Sequence, residues 1–312
     1  MTTTIARAPR SRPYDYPSIL AASEKVRWRP EDLIGGTRRL DFSKPFLPES
    51  LARSEALDFL SPRERLLVNH IRGHGYLYLF IVGEEFILPY VLDHMRPSLT
   101  GDDARTRALL GFAAEEAKHI DLFHRFRAEF ERGFGAACDV VGPPERIGAT
   151  ILGHGALPVA LAVLGLEWMT QSHYLESVRC DEALDPCFEG LLRHHWMEEA
   201  QHAKLDTLMV RALADGLTEA QILAAVEEYL AIGGFLDSEL CAQVELDLAT
   251  FERVARRRLA AAERERFLAV QRQAQRWTFL GSALSNARFL EILGQVSPRG
   301  RELAEGAVPT FS

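Results

Sequence analysis

Residues 198–202 read Glu-Glu-Ala-Gln-His, and residues 115–119, which lie 83 positions earlier, read Glu-Glu-Ala-Lys-His. In each stretch the second glutamate precedes the histidine by three residues. Side chains three residues apart lie on one face of an α-helix, so each pair can direct a carboxylate and an imidazole at the same point. The two pairs are Glu116 with His119 and Glu199 with His202. One such pair alone is a weak signal, so its meaning depends on the sequence that precedes it.

A glutamate lies within an apolar stretch 32 residues before each pair. Glu84 belongs to Phe-Ile-Val-Gly-Glu-Glu-Phe-Ile-Leu at 80–88, and Glu167 belongs to Val-Leu-Gly-Leu-Glu-Trp-Met at 163–169. A helix that is apolar nearly all round belongs in a core, where an unpaired carboxylate costs several kcal/mol. A single buried glutamate could pair with an arginine or become protonated. Helical phase does not decide between Glu84 and its neighbour Glu85.

The order of these motifs occurs twice in register. A lone glutamate precedes a Glu-x-x-His pair by 32 residues in both halves, and each residue of the first half has its counterpart 83 positions later. This is the ligand arrangement of di-iron and di-manganese carboxylate bundles, in which two helices each give one glutamate and two others each give Glu-x-x-His. The repeat therefore predicts a dinuclear metal site.

One histidine breaks the repeat. His195 lies four residues before Glu199 and seven before His202, so the three side chains share one helical stripe. The residue 83 positions before His195 is Phe112. A third imidazole would thus reach only one of the two metals. The alternative is a histidine that contacts the ligands without binding metal.

The rest of the chain reads as one helix after another. Ser61-Pro62-Arg63-Glu64 has the residues of a capping box, and Asp185-Pro186 and Thr218 begin further helices. The pattern predicts helices at about 62–95 with a kink at Pro89, 102–132, 144–153, 157–179, 185–216 and 218–293. Residues 233–234 and 256–258 are candidate breaks in the last one. No alternating strand pattern with a hairpin turn stands out, so we expect an all-α fold: a four-helix bundle with additional helices.

The predicted domain organisation has three parts. Residues 1–47 form an N-terminal arm and an irregular segment, because they are rich in Pro and Arg and have no sustained period. Residues 48–296 form a single domain, and residues 297–312 form a C-terminal tail. The long amphipathic sequence after Gly216 exceeds what a four-helix bundle needs to cover itself. This excess predicts a homodimer whose contacts lie outside the ligand helices.

Composition excludes several classes of protein. The chain has 312 residues, of which 47% are hydrophobic and 26% charged, as in ordinary globular proteins. Its net charge of −8 disfavours nucleic acid as a partner. The four cysteines show no CxxC spacing, which is typical of reduced thiols and favours a cytoplasmic location. Charges interrupt every long apolar stretch, and the N-terminus has no apolar signal core, so we expect no membrane association.

The combined motifs resemble the ferritin-like di-iron superfamily. Within it, the helix His195-x-x-x-Glu199-x-x-His202 is similar to that of the p-aminobenzoate N-oxygenases, in which the extra histidine binds one iron. Gly75-Tyr76 and the stretch 181–186 also resemble that family. The resemblance covers about residues 60–210. It selects Glu84 over Glu85 as the ligand.

This resemblance implies a ferritin-like bundle with additional N- and C-terminal helices, and two iron ions, with manganese as an alternative metal. It implies seven metal ligands: Glu84, Glu116, His119, Glu167, His195, Glu199 and His202. The implied activity is dioxygen-dependent oxidation of an amine, either an arylamine or one derived from an amino acid, to a hydroxylamine, nitroso or nitro product. An external electron donor would supply the electrons, and the family resemblance also favours a homodimer.

Two further carboxylates repeat with the ligands. Glu115 and Glu198 each lie four residues before a ligand histidine. In superfamily relatives a carboxylate at this place accepts the hydrogen bond of a metal-bound imidazole across the bundle, which fixes the imidazole tautomer. The alternative is that both are solvent-facing helical glutamates.

Two other functions stay open at this point. One is a di-iron hydroxylase or desaturase that acts on carbon. The other is iron or peroxide handling of the ferritin or rubrerythrin type. The third histidine and the length of the chain both favour the N-oxygenase over storage.

Overall fold

The fold is all-α, as predicted. The structure is a computed structural model that describes residues 14–99 and 103–311. Across these two ranges every regular element is a helix, and the only β-type pairing is an isolated bridge between Gly35 and Arg38. The first thirteen residues of the predicted N-terminal arm, the predicted helix start at residue 102 and the last residue of the predicted tail lie outside the described residues.

The described residues contain twelve α-helices. They are α1 Tyr16–Ser23, α2 Glu49–Ala52, α3 Pro62–Met95, α4 Asp103–Phe134, α5 Pro144–Leu152, α6 Ala156–Ser172, α7 Pro186–Ala214, α8 Glu219–Ala255, α9 Ala261–Arg276, α10 Ser282–Leu284, α11 Ala287–Val296 and α12 Pro298–Ala307. Two π-helical segments, His173–Val178 and Trp277–Gly281, continue α6 and α9. Short 3₁₀ turns lie at Pro30–Asp32, Arg96–Ser98 and Val308–Thr310.

Helices α3, α4, α6 and α7 form the four-helix core, in which α3 packs on α4 and α6 packs on α7. The residues predicted to begin α3 and α7 act as N-caps. At Ser61 the capping box is complete, and the Glu64 carboxylate accepts a 2.8 Å hydrogen bond from the Ser61 backbone N–H. At Asp185 the side chain accepts from the Phe188 N–H at 2.7 Å, which caps α7. Each cap fixes where a ligand-bearing helix begins.

Helix α3 has the length and composition of a membrane-spanning helix. Its most apolar 18-residue window has a mean hydropathy of 1.4, and 67% of that window is buried inside the chain. Core helices of soluble proteins pass the same test. Burial of this kind is what a central helix of a bundle requires, since its partners approach from several sides.

The C-terminal helices differ from the prediction in two places. Helix α8 runs unbroken through residues 233–234, because packing against α3 and α6 holds it in the helical conformation. The predicted continuous helix to about residue 293 instead breaks before α11. There the Asn286 side chain accepts hydrogen bonds from two backbone N–H groups and starts a new helix. The candidate break at 256–258 is present, with Arg256 in the left-handed region at φ 52°.

The apolar faces outside the core pack within the chain. Helix α8 lies against α3, α6 and α9, and it buries Val226, Val244 and Phe251. Helix α1, inside the segment predicted to be irregular, packs on α4 and α7 with Ile19 buried. The N-terminal segment therefore lies against two helices that carry predicted ligands.

Candidate metal centre

All seven predicted ligands point into the interior of the four-helix core. Each has no more than 3% of its surface exposed. Helix α3 gives Glu84, α4 gives Glu116 and His119, α6 gives Glu167, and α7 gives His195, Glu199 and His202. Glu85, the alternative to Glu84, has a side chain that is 36% exposed and lies 3.8 Å from the exposed His124. Burial thus selects Glu84.

Four of these side chains converge on one point, which we call the first group: Glu84, His119, His195 and Glu199. The Nε2 atom of His195 lies 2.9 Å from Glu84 Oε1 and 2.6 Å from Glu199 Oε1. The Nδ1 atom of His119 lies 3.0 Å from the same Glu199 oxygen. One potential ligand atom from each residue lies within 4.8 Å of the others, so this group could hold a metal ion.

A second group shares His119 and Glu199 with the first and adds Glu116 and His202. The Nδ1 atom of His202 lies 2.8 Å from Glu116 Oε1 and 2.8 Å from Glu199 Oε2. The two oxygens of Glu199 therefore face different groups. A carboxylate in this position can bridge two metal ions, and the chain carries a buried Glu/His cluster that could bind two of them.

The structure places His195 in one group only, as the broken repeat suggested. It lies with Glu84 and His119, which belong to the first half of the repeat, although His195 itself belongs to the second. In the second group a phenyl ring takes the neighbouring space, because Phe112 stacks on His202 with ring centroids 4.0 Å apart. Each group contains two imidazoles, because His119 belongs to both, and the asymmetry lies in the repeat: its first half supplies one of the three histidines and its second half supplies two.

Glu167 lies beside Glu199 but outside both groups. Its Oε2 atom is buried without a hydrogen-bond partner in the described part of the chain. Burial, together with the neighbouring Glu199 carboxylate, raises the pKa of Glu167 well above its ordinary value. Its assignment as a metal ligand stays a prediction.

Glu115 and Glu198 hold the outer nitrogens of two imidazoles across the bundle. The His202 Nε2 atom lies 2.8 Å from Glu115 Oε2, and the His119 Nε2 atom lies 2.9 Å from Glu198 Oε2. Each carboxylate belongs to the helix that faces its histidine. An Nε2–H that donates to a carboxylate leaves Nδ1 as the free lone pair, and Nδ1 is the atom that faces the groups.

The electrostatics of the cluster is dominated by carboxylates in an apolar interior. Burial acts to lower the pKa of His202, but Glu199 and Glu115 outweigh it and raise that pKa to about 9. Burial also acts to lower the pKa of His119. The carboxylates of Glu199, Glu198 and Glu84 outweigh burial, so the pKa of His119 rises well above its ordinary value. The cluster therefore favours positive charge, which a divalent cation would supply.

The donor atoms fit two metal ions. Within the described ranges, several buried polar atoms of the cluster make no hydrogen bond: Glu84 Oε2, both oxygens of Glu116, His119 Nδ1, Glu167 Oε2 and Glu199 Oε1. Buried polar atoms are normally satisfied, because leaving one unpaired costs about 1–3 kcal/mol. Imidazole nitrogens lie 2.6–3.0 Å from two of these oxygens, but without the geometry of a hydrogen bond. Donor atoms that converge on two points in this way are the ones a pair of cations requires. Carboxylate and imidazole together suit iron or manganese.

Three residues beside the cluster were not predicted from the sequence. Asp206 lies four residues after His202 on the same stripe and is fully buried, so the helical period carried a signal for it. Burial raises the pKa of Asp206 well above its ordinary value. Ser23 hydrogen-bonds Glu115, and Trp28 stacks on His119. No periodic pattern links Ser23 to Glu115 or Trp28 to His119, because the two members of each pair lie more than 90 positions apart.

Comparison with known proteins identifies no family. No protein-family model matches the chain, and no curated protein is similar to it. Among solved structures, the chain is similar to R2-like ligand-binding oxidase with an aerobically reconstituted metal cofactor after photoconversion, at 13% identity and a TM-score of 0.47, with 88% of this chain and 94% of that chain covered. A variant of the same oxidase with an anaerobically reconstituted Mn/Fe cofactor has 15% identity, a TM-score of 0.46 and the same coverage. Likenesses this distant carry no functional argument, so the function proposed below rests on the side chains of the cluster.

Proposed function

We propose that the protein is a dioxygen-dependent, non-haem di-iron N-oxygenase that oxidises an amine to a hydroxylamine, nitroso or nitro product. The observation that carries this proposal is the third imidazole. His195 joins the first group, with its Nε2 atom 2.6 Å and 2.9 Å from two carboxylate oxygens. The sequence resemblance to the p-aminobenzoate N-oxygenases rests on this same histidine.

The residues divide between two metal positions. Glu84, His119 and His195 would hold one ion, Glu116, Glu167 and His202 would hold the other, and Glu199, whose two oxygens face the two groups, would help to hold both. When bound, two iron ions or an iron and a manganese ion would supply dioxygen activation and redox chemistry.

The chain's own residues fix the ligands and the surrounding medium. Glu115 and Glu198 hold the Nε2 protons of His202 and His119, so both imidazoles present Nδ1 inward. The rings of Phe80 and Phe123 lie edge-on to His195 at centroid distances of 5.2 Å and 5.0 Å. These phenyl groups exclude water from the side of the first group, which strengthens every charge interaction inside it.

The test is product analysis after a single turnover. The protein is loaded with two equivalents of Fe(II) without oxygen, mixed with an arylamine or an amino-acid-derived amine from a panel, and exposed to dioxygen. The proposal expects at least one amine to yield a hydroxylamine in this first turnover: one atom of ¹⁸O₂ enters the N–O bond and the other leaves as water, with two electrons from the two Fe(II) ions and two from the amine. Added reductant and more ¹⁸O₂ should then carry the hydroxylamine on to a nitroso or nitro product. A product hydroxylated or desaturated only at carbon would refute N-oxygenation. Uptake of many iron ions per chain without substrate oxidation would instead indicate storage.

A further inference from the structure

A segment of the N-terminal region runs along α4 directly over the metal centre. We call residues 15–32 the strap. Two ion pairs join the strap to α4. Glu24 pairs with Arg107 at 3.1 Å, and Glu31 pairs with Arg125 at 2.9 Å. These two arginines are 18 residues apart, about 27 Å along an α-helix. The residues between them include Glu116 and His119.

At its first half the strap contacts the chain of hydrogen bonds that leads to His202. The Ser23 hydroxyl donates to Glu115 Oε1, and the other oxygen of Glu115 accepts from His202 Nε2 at 2.8 Å. The Glu115 side chain is 15% exposed, so few other donors reach it. Ser23 therefore orients the Glu115 carboxylate, which in turn orients the His202 imidazole. Because His202 belongs to the second group, Ser23 acts on that group.

At its second half the strap contacts the imidazole of the first group. The Trp28 indole stacks on His119 with ring centroids 6.0 Å apart and planes 6° from parallel. The Lys118 ammonium lies 4.0 Å from the centre of the indole and also binds Glu198, the carboxylate that holds His119. Trp28 Nε1 is buried without a hydrogen-bond partner among the described residues, so stacking and the cation hold the ring.

We propose that the strap retains both metal ions, with Ser23 and Trp28 as positioning residues for one metal position each. Ser23 acts through His202, which belongs to the second group alone. Trp28 acts through His119, which belongs to both groups but has its Nδ1 atom 3.0 Å from the Glu199 oxygen that His195 also contacts, so its larger effect falls on the first group. Helix α1, the first part of the strap, packs on α4 and α7, the two helices that carry the Glu-x-x-His pairs. The exposed ion pairs between the strap and α4 contribute little stability. The contacts of Ser23 and Trp28 therefore supply most of the interaction that keeps the strap against the cluster. This inference rests on the dinuclear site of the proposed function.

The test measures how fast each metal ion leaves the full-length protein. The chain is loaded without oxygen with two equivalents of Fe(II), and an excess of a coloured Fe(II) chelator then records release. Glu84→Ala, which removes a carboxylate of the first group only, assigns the two phases. Removing a group that hydrogen-bonds a metal ligand changes metal affinity about 10- to 100-fold. Ser23 contacts such a group and not the ligand itself, and Trp28 only stacks on a ligand. We therefore expect a smaller acceleration, about three- to tenfold.

Ser23→Ala should accelerate the phase of the second group, and Trp28→Leu the phase of the first group. Ser23→Thr keeps the hydroxyl and Trp28→Phe keeps a stacking ring, so both should release iron at nearly the native rate. Ser18→Ala is the matched control, because Ser18 lies on the same helix but is exposed and hydrogen-bonds only the nearby Asp15.

The outcomes separate this inference from the proposed function. Native protein that binds two ions, with both variants releasing them at the native rate, would overturn the strap alone. Equal acceleration of both phases in both variants would show general loosening of the fold and would also overturn it. Native protein that binds no iron would overturn the strap and the proposed function together.

Discussion

At the scale of single residues, Glu199 and His195 have separable roles. Glu199 faces both groups with its two oxygens, whereas His195 contacts only the first. Glu199→Ala removes a charged ligand from both positions, so we expect the affinity for both ions to fall by more than about 100-fold. His195→Ala leaves six ligands, so most of the metal should stay, and N-oxygenation should be lost. Metal analysis and product analysis of the two purified variants check this.

His124→Ala is the control for that experiment. His124 is exposed and lies 3.8 Å from Glu85, outside both groups. It should keep both metal and activity. Full activity in His195→Ala would contradict the role of the third imidazole, and it would remove the main reason to prefer nitrogen over carbon as the site of oxidation.

A pH prediction concerns Asp247, which lies apart from the metal centre on α8. Burial raises its pKa from 3.8 to about 6, although Arg72 and Gln243 oppose the rise. The folded state therefore binds the proton more tightly than the unfolded state. This contribution destabilises the fold progressively as the pH rises from about 4 to about 6, by at most about 3 kcal/mol.

Asp247→Asn removes that dependence and keeps an oxygen that can accept from Gln243, which donates to Asp247 at 2.8 Å. The variant should equal the native protein near pH 4 and exceed it in thermal stability at pH 7. The measurement is the melting temperature of both proteins across this range. A constant difference between them at every pH would contradict the assignment.

The inner cluster was accessible from sequence, whereas its outer contacts were not. Glu84, Glu116 and Glu199 are placed by the helical period and by a repeat of fixed spacing, and the structure brings them together. Whether they bind metal stays a prediction. Ser23 and Trp28 reach the same cluster from a segment without periodicity. Their contacts depend on how that segment lies across α4, which no local pattern encodes.

At the scale of elements, the helical prediction failed at two places, and each has its own cause. The glycine pair at 233–234 was a candidate break in α8, since glycine weakens helices. Tertiary packing overrides this tendency, because α8 is held against α3, α6 and α9 along its length. The break before α11 was missed because Asn286 is an N-cap whose neighbours lack the usual capping-box residues. Boundaries that depend on one side chain are harder to predict than long periodic stretches.

Two glycines give opposite predictions. A Cβ built on Gly234, inside α8, meets no atom within 4 Å. Gly234→Ala should therefore raise the free energy of unfolding by about 0.5–1 kcal/mol. A Cβ built on Gly281 would lie 2.5 Å from the Phe311 carbonyl oxygen, so Gly281→Ala should destabilise by about 1–3 kcal/mol. Denaturant unfolding of both variants gives the signs, and equal signs would contradict this packing.

At the scale of the whole molecule, a homodimer stays a prediction. The amphipathic helices after Gly216 pack their apolar faces on the chain's own bundle. Any contact between copies in this region would use the apolar surface left outside, such as Leu217, which lies just before α8, and Leu303 of α12, whose surfaces are 37% and 40% exposed. Light scattering at micromolar concentration should report twice the chain mass of 35.0 kDa. A single-chain mass would contradict the prediction.

The central claim is that one chain holds two metal ions between four helices. Metal analysis of protein produced with iron and purified without chelators measures this directly. The account predicts close to two equivalents of iron, or of iron and manganese together, per folded chain, because the unpaired donor atoms converge on two points that share Glu199. Well-folded protein that contains no tightly bound metal, or only one equivalent, would contradict it.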